Sequence, residues 1–151
     1  MIQQIASTFH GKNVEEVLKS GNGVRLSPQG TSMWPTILPG RDKVEIQPVD
    51  GHQIHRGDIV LYQRPSGMLV LHRAMKLHDG SVWFCGDNQF EVEGPLPASR
   101  VLGVMSARIR NGKRIETSSL QWRAWSAAWH AALPVRRIVR ALHSKQRQRR
   151  D

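Results

Sequence analysis

Residues 57–75, GDIVLYQRPSGMLVLHRAM, contain two short apolar runs on either side of a turn sequence. The first run covers residues 59–62 and the second covers residues 68–75. Between them lies Pro65-Ser66-Gly67, and proline and glycine are residues that tight turns favour. The stretch therefore predicts a β-hairpin, in which two antiparallel strands are joined by a tight turn.

Further short strands are predicted on both sides of this hairpin, each bounded by turn residues. They lie at residues 24–26, 43–47, 81–85 and 101–110. Pro95 and Pro97 are expected to interrupt pairing before the last strand, because proline has no amide hydrogen to donate. Many short strands of this kind are typical of an antiparallel sheet or a partly closed barrel. We therefore expect a mainly β fold.

Helical segments are predicted at both ends of the chain. Apolar residues recur at helical spacing over residues 2–20, in one helix or in two short ones because Gly11 and Asn13 interrupt the run. Near the other end, Ser118 or Ser119 can cap an amphipathic helix. The chain is accordingly divided into three parts. These are an N-terminal helical segment at 1–23, a β domain at 24–112 and a basic helical tail at 113–151.

The 151 residues carry a formal net charge of +10, which is unevenly distributed. Residues 1–107 contain ten Lys/Arg and ten Asp/Glu, whereas residues 108–151 contain twelve and two. The single cysteine, Cys85, cannot form an intrachain disulfide, and no apolar run has the length of a transmembrane helix. Residues 1–10 lack the basic start of a signal peptide. These observations favour a cytoplasmic protein.

Residues 30–37, GTSMWPTI, precede the hairpin and predict a stiff turn that presents a serine. Pro35 fixes its own φ and biases Trp34 towards an extended conformation, while Gly30 lets the backbone bend just before the serine. Such a turn suits a nucleophile, which must be held still before it reacts. From these residues alone, Ser32 can also be an ordinary turn serine.

A hydrolase that uses serine needs a base, and the chain has seven histidines. Only His72 lies inside an apolar strand, and as a neutral imidazole it could accept the Ser32 proton. Asp87 follows a strand end and could orient that imidazole, with Glu93 as a second candidate for this role. The alternatives are that His72 is a core residue and Asp87 a turn residue. Arg73 could pair with an acid and lock the strand end.

From about residue 30 to residue 104, the sequence resembles the signal peptidase family of serine endopeptidases. The matching stretches are, in order, 30–36 (GTSMWPT), 39–44 (PGRDKV), 57–60 (GDIV), 69–75 (LVLHRAM), 86–88 (GDN) and 101–104 (VLGV). A single match is weak evidence, whereas several matches in the expected order are specific. Arg41 is inserted where the family usually has Gly and Asp adjacent. The resemblance implies a mostly β, partly barrel-like peptidase fold.

The resemblance also implies a role for each candidate residue. Bacterial signal peptidases generally have a lysine where this chain has His72, whereas the endoplasmic-reticulum and archaeal branch has a histidine. By this resemblance Ser32 is the nucleophile, His72 is the general base and Asp87 is the acid of the Gly-Asp-Asn motif. Glu93 lies near the position of a second acid in that branch.

The same resemblance predicts that the oxyanion and the substrate contact the turn around the nucleophile. The backbone N–H of Ser32 would bind the oxyanion, and Gly30, Thr31 and Met33 complete this part of the site. Some relatives carry a hydroxyl two residues before the nucleophile. In this chain that residue is Gly30, so the side-chain donor is missing, and Thr31 is the substitute considered.

We interpret the chain as a serine endopeptidase that cleaves an extended polypeptide segment bound as an added strand. No metal and no cofactor are expected, since His52 and His55 are isolated from other ligands. Two alternatives stay open. One is a non-catalytic peptide- or membrane-binding module on a peptidase fold, and the other is a self-cleaving autoprotease. The missing side-chain donor at Gly30 and the inserted Arg41 keep the module open as an alternative.

The tail combines tryptophan and arginine in an amphipathic pattern. Trp122, Trp125 and Trp129 share one helical face, and a second apolar stripe runs through residues 135–142 beside arginines. Tryptophan and arginine on one helix suit anionic lipid, so residues 119–143 are predicted to dock on the inner membrane face. The alternative is that the tryptophans pack on the sheet. Basic arms also bind nucleic acid, but no helix-turn-helix precedes the sheet, which argues against a DNA-binding relative.

Overall fold

The computed structural model describes residues 2–4, 11–132 and 135. The strands are β1 (Ile2–Gln4), β2 (Gly23–Leu26), β3 (Asp42–Pro48), β4 (Ile59–Gln63), β5 (Leu69–His78), β6 (Ser81–Cys85), β7 (Glu93–Pro97), β8 (Val101–Arg110) and β9 (Lys113–Glu116). The helices are α1 (Gly11–Lys19) and α2 (Leu120–Ala131), and short 3-10 turns lie at Gly51–Gln53 and Ala98–Arg100. In this part of the chain, neither helix has the length and apolar character needed to cross a membrane.

All the described strands belong to one sheet with the long strand β8 near its middle. The order is β1-β2-β3-β8-β4-β5-β6-β7, and β9 pairs with β8 as a hairpin outside this path. Every pair is antiparallel except β1 with β2. The predicted mainly antiparallel β fold, with a short N-terminal helix and a C-terminal helix, is confirmed. The sheet does not close into a barrel.

Strands β4 and β5 form the predicted hairpin, and their register positions the candidate site. Val60 pairs with His72. Because side chains alternate along a strand, Ile59 and Leu61 join one apolar cluster, whereas Val60 and Tyr62 join the other. His72 and Tyr62 therefore lie on the same face of the sheet, diagonally across the two strands.

The helix predicted over residues 2–20, as one helix or as two short ones, does not form at its start. Residues 2–4 form a strand that pairs in parallel with β2, and α1 begins only later. Pairing with a neighbouring strand outweighs local spacing here, since intrinsic propensity is weak beside tertiary context. The end of α1 is as predicted. Gly21 has a φ of +83°, and the Asn22 amide donates to the Val17 carbonyl at 3.2 Å.

Strand β7 pairs with β6 although it contains Pro95 and Pro97. The expectation that these prolines interrupt pairing holds only for the register shift at residues 94–95, and Pro97 is paired with Ser81. β7 is the last strand of the sheet, and an edge strand can tolerate prolines where their missing amide hydrogen costs no ladder bond. The register places Glu93 opposite Phe84, whose ring stacks on Tyr62 with centroids 3.9 Å apart. Glu93 is thereby brought to the same region as the hairpin.

Helix α2 packs on the sheet through one deeply buried ring. Ser119 caps the helix as predicted, because its hydroxyl accepts a hydrogen bond from the Trp122 amide at 3.3 Å. Trp122 is 6% exposed and belongs to an apolar cluster, whereas Leu120 at the start of the helix is 81% exposed. Apart from Val135, the second stripe predicted at 135–142 lies outside the described residues.

The sheet draws on all three parts into which the sequence was divided. β1 comes from the predicted N-terminal helical segment, residues 1–23, and β9 comes from the predicted tail, residues 113–151. Both strands extend the sheet that residues 24–112 build. The described ends of the chain therefore share the architecture of the central part instead of forming purely helical appendages.

Candidate active site

The turn that carries Ser32 is anchored by its buried neighbours. Met33 and Ile37 are 3% and 1% exposed, and both belong to the apolar cluster on one face of the sheet. Ser32 itself is half-buried, and Thr31 and Gly30 before it are exposed. The side chain of Met33 thus lies in the core, while Ser32 and the residues before it face the surface. Two core anchors hold the serine at a defined position.

The segment Gly86-Asp87-Asn88 packs directly against this turn. The Asn88 amide donates to the Ser32 carbonyl at 2.7 Å, and the Asn88 side chain donates to the Thr31 carbonyl at 3.2 Å. A Cβ atom at Gly86 would lie 2.6 Å from the Ser32 carbonyl oxygen, closer than real Cβ contacts allow. Glycine is therefore required here for close approach of two backbones. Two motifs more than 50 residues apart meet at this point.

Asp87 is held in a buried ion pair with Arg73. The Arg73 Nε and Nη2 atoms donate to its two carboxylate oxygens at 2.8 and 2.6 Å, and the Thr36 hydroxyl donates to it at 2.5 Å. The side chains of Arg73 and Asp87 are 1% and 4% exposed. The predicted pairing of Arg73 with an acid is confirmed. Because Thr36 belongs to the Ser32 turn and Arg73 to β5, Asp87 ties the two elements together.

His72 is buried, and its ring contacts Tyr62. Its Nδ1 atom lies 3.2 Å from the Tyr62 hydroxyl oxygen, and that hydroxyl donates to a Glu93 carboxylate oxygen at 2.7 Å. Arg64 donates two hydrogen bonds to Glu93, both of 2.7 Å. A continuous line of contacts therefore runs from His72 through Tyr62 and Glu93 to Arg64.

The surroundings keep the His72 imidazole uncharged at neutral pH. Burial lowers its pKa to about 4, and the charges of Glu93 and, more weakly, Asp87 oppose that shift. An uncharged imidazole has a free lone pair and can accept a proton. The Arg64 hydrogen bond holds the pKa of Glu93 below its usual range, so Glu93 is a carboxylate at the same pH.

The backbone connects the His72 strand to the Ser32 turn by a short route. Arg73, the next residue after His72, pairs with Cys85 across β5 and β6, and Gly86 follows directly. The contact of Gly86 and Asn88 with Ser32 then brings the serine turn close to the middle of β5, around Arg73. Within the described residues, no hydrogen bond joins the Ser32 hydroxyl to the His72 ring. Catalytic hydrogen bonds are often long in a free enzyme and shorten when substrate binds.

Helix α2 contributes three polar contacts that the sequence did not predict. The Ser126 hydroxyl accepts from Arg73 at 2.5 Å, the Trp129 ring N–H donates to the Asp87 carbonyl at 3.3 Å, and the Trp125 ring N–H donates to the Thr36 hydroxyl at 3.4 Å. The helical spacing of the sequence already placed these three residues on one face of the helix, but it did not indicate their partners. All three predicted tryptophans thus contact the body of the protein. The membrane-docking hypothesis for residues 119–143 stays a prediction, with less free ring surface than the pattern suggested.

Tyr62 is the main site residue that sequence reasoning missed. In the sequence Tyr62 is the last residue of the apolar run 59–62, with no sign of a polar role. Only the register of the hairpin places it beside His72. Glu93 was considered as a second candidate acid, but its bond to Tyr62 depends on the unexpected pairing of β7. Among the described residues, no group of three or more His, Cys, Asp or Glu side chains is arranged to hold a metal ion.

No protein-family model matches this sequence, and a search of curated proteins finds no significant match. The resemblance to signal peptidases therefore rests on the order of the motifs in the chain. The contacts described above are independent of that resemblance.

Proposed function

We propose that this protein is a serine endopeptidase in which Ser32 is the nucleophile and His72 is the general base. The observation that carries the proposal is the contact of Gly86 and Asn88 with the Ser32 carbonyl. It joins the serine turn to the Gly-Asp-Asn segment, and that segment directly follows β6, the strand that pairs with the histidine strand. A nucleophile and an uncharged base in one region are what acyl transfer requires.

In the proposed reaction, the Ser32 oxygen attacks the carbonyl carbon of the peptide bond. The hydroxyl proton passes to the His72 imidazole, and the carbonyl π electrons move to the oxygen, which the Ser32 backbone N–H stabilises. The C–N bond then breaks, and the imidazolium returns its proton to the departing amine. Water releases the acyl group by the same two steps, with His72 again accepting and returning the proton.

Asp87 supports this chemistry by holding its components in place. Its carboxylate bonds Thr36 of the serine turn and Arg73 of the histidine strand. Both oxygens are therefore engaged with groups that fix the position of Ser32 relative to β5. The nearby negative charge also favours the imidazolium that forms during the reaction.

The decisive test compares protein N-termini in the native host between the wild type and a Ser32→Ala variant. We expect new N-termini in the wild type that vanish in the variant, since alanine has no nucleophile. The Ser32 hydroxyl makes no hydrogen bond among the described residues, so the melting temperature should be unchanged. Ser66→Ala, at the exposed hairpin turn, is the matched control and should behave as the wild type.

The outcomes also separate the three functional classes. Cleaved host proteins support the endopeptidase, whereas cleavage of this chain alone, lost in Ser32→Ala, supports the autoprotease. Identical N-termini in the wild type and the variant, with both proteins folded and expressed, would overturn the proposal and leave a binding module.

A further inference from the structure

Hydrogen-bond contacts join four polar side chains in a line, namely the proposed base His72, Tyr62, Glu93 and Arg64. The proposed cleavage reaction uses only His72. Tyr62 is completely buried between strands, yet its hydroxyl touches both His72 and Glu93. Arg64 holds the far side of Glu93 with two hydrogen bonds. Burial of a tyrosine hydroxyl beside a charged group costs folding free energy unless each polar group has a hydrogen-bond partner. A fully paired line that ends at the proposed base therefore suggests a function for Tyr62.

The direction of each hydrogen bond follows from the donors available. Glu93 is ionised and accepts only, so the single Tyr62 proton points at Glu93. The Tyr62 oxygen is left with its lone pairs, and it can bond His72 only by accepting. The Nδ1 atom of His72 must therefore carry the proton in this 3.2 Å contact. A neutral imidazole has one N–H, so the lone pair of the ring lies on Nε2.

We propose that Tyr62 is a positioning residue that holds His72 in the Nδ1–H tautomer, with Glu93 and Arg64 fixing the Tyr62 hydroxyl. This inference rests on the proposed function and deepens it. The group that orients the base is a tyrosine anchored on Glu93, while Asp87 is occupied with Arg73 and Thr36. In this tautomer the Nε2 atom carries the lone pair that accepts the serine proton.

No proton travels along this line during the reaction. The Ser32 O–H bond breaks and the proton joins Nε2, while Nδ1 keeps its own proton and its bond to Tyr62. Burial first, and then the Glu93 carboxylate, raise the pKa of Tyr62 far above its usual range, so the phenol keeps its proton throughout. The negative charge of Glu93 stabilises the imidazolium from a distance, through an oriented hydroxyl.

Packing makes the tyrosine ring a rigid support. Tyr62 and Phe84 stack with centroids 3.9 Å apart and planes only 7° apart. A Tyr62→Phe substitution should keep this stack and remove only the hydroxyl. The substitution therefore separates the orienting bond from the packing, which a larger truncation would not do.

The first test reads the tautomer directly by nitrogen NMR on ¹⁵N-labelled Ser32→Ala protein at about pH 7. We expect His72 as the Nδ1–H tautomer, and in the Ser32→Ala/Tyr62→Phe double variant a shift towards Nε2–H. An Nε2–H tautomer in the first protein, or the same tautomer in both, would overturn the proposal. This readout needs no substrate, so it decides the inference even if no cleaved protein is found.

The second test measures cleavage of a peptide that spans the cut site found in the host comparison. Tyr62→Phe should lower kcat at least about tenfold with little change in KM, because the base is disoriented while the peptide site is intact. Glu93→Gln should also lower kcat, and the matched control Glu91→Gln, at an exposed position two residues away, should not. Unchanged kcat in Tyr62→Phe would contradict the positioning role while leaving the peptidase assignment intact.

Discussion

At the residue scale, the candidate site depends on one close approach of two backbones. Gly86 and Ser32 belong to motifs that the sequence places far apart, and the absence of a side chain at Gly86 lets them touch. The Asn88 amide then bonds the Ser32 carbonyl at 2.7 Å. Gly30, on the other side of the serine, has no such constraint, because an added Cβ there would meet nothing within 4 Å.

Gly86→Ala should therefore displace the serine turn. The new methyl group would overlap the Ser32 carbonyl oxygen, and relief of that overlap should cost about 1–3 kcal/mol of unfolding free energy. Cleavage should fall as well, because the nucleophile moves relative to His72. Chemical denaturation and the peptide assay measure the two effects separately.

Gly30→Ala is the matched control for this prediction. Its backbone φ lies outside the left-handed region, and the position is exposed, so the unfolding free energy should change by less than about 0.5 kcal/mol. Equal losses of stability in the two alanine variants would show that the close contact at Gly86 is not the reason for its glycine.

At the scale of elements, helix α2 forms one wall of the candidate site. Its Ser126 and Trp129 contact the Arg73–Asp87 pair, and Trp122 fills an apolar cluster below them. Arg108 of β8 lies over the Trp122 ring, 5.4 Å from its centroid, as a cation–π contact. The helix is thus bound to the sheet by apolar burial and aligned by polar contacts.

Trp122→Ala should loosen this helix. Removal of a ring that is 6% exposed leaves a cavity, and such truncations cost about 3–5 kcal/mol. Leu120→Ala, two residues earlier and 81% exposed, should change stability by less than about 0.5 kcal/mol. Thermal or chemical unfolding of both variants measures the difference. Similar losses in the two variants would mean that α2 is not held by Trp122.

At the scale of the whole molecule, the basic C-terminal third of the sequence is not electrostatically separate from the neutral part, although its composition suggests that it is. Arg110 of β8 and Arg114 of β9 lie in the basic third of the chain, yet they pair with Asp42 and Glu45 of β3. Burial would raise the pKa of both acids, but hydrogen bonds from arginines lower the pKa overall. Part of the basic excess therefore neutralises the acids of the sheet.

The stability of the molecule should decrease as the pH falls from about 6.5 to about 4. In this window the unfolded chain protonates His72, whereas burial keeps the folded imidazole uncharged because its pKa is about 4. The unfolded state then binds more protons, so the unfolding free energy falls with pH, by at most about 3 kcal/mol from this group. Below this window, protonation of Asp42, Glu45 and Glu93 removes further stability.

Denaturant unfolding at several pH values tests this expectation. His72→Gln should reduce the dependence between pH 6.5 and 4, with a remainder from His130, whose pKa burial also lowers. His78→Gln, at an exposed position of the same strand, is the matched control and should retain the full dependence. An unchanged slope in His72→Gln would mean that another group is responsible.

The sequence by itself determined the features whose signals are local. Two short apolar runs on either side of Pro65-Ser66-Gly67 predicted the hairpin, Gly21 predicted the end of α1, and Ser119 predicted the cap of α2. Each signal is contained within a few residues, because the strand period, the turn conformation and the cap hydrogen bond are all short-range. The class of fold follows from their sum. The serine turn and the histidine strand were also singled out, as candidates by residue type.

Only the tertiary structure decided which of these candidates meet and through which partners. The β1–β2 pair and the proline-containing strand β7 depend on a neighbouring strand, which no local pattern encodes. The contact of Tyr62 with Glu93 spans 31 residues, and that of Trp125 with Thr36 spans 89. Strand register and helix docking set such contacts, and both are settled by the packing of the whole core.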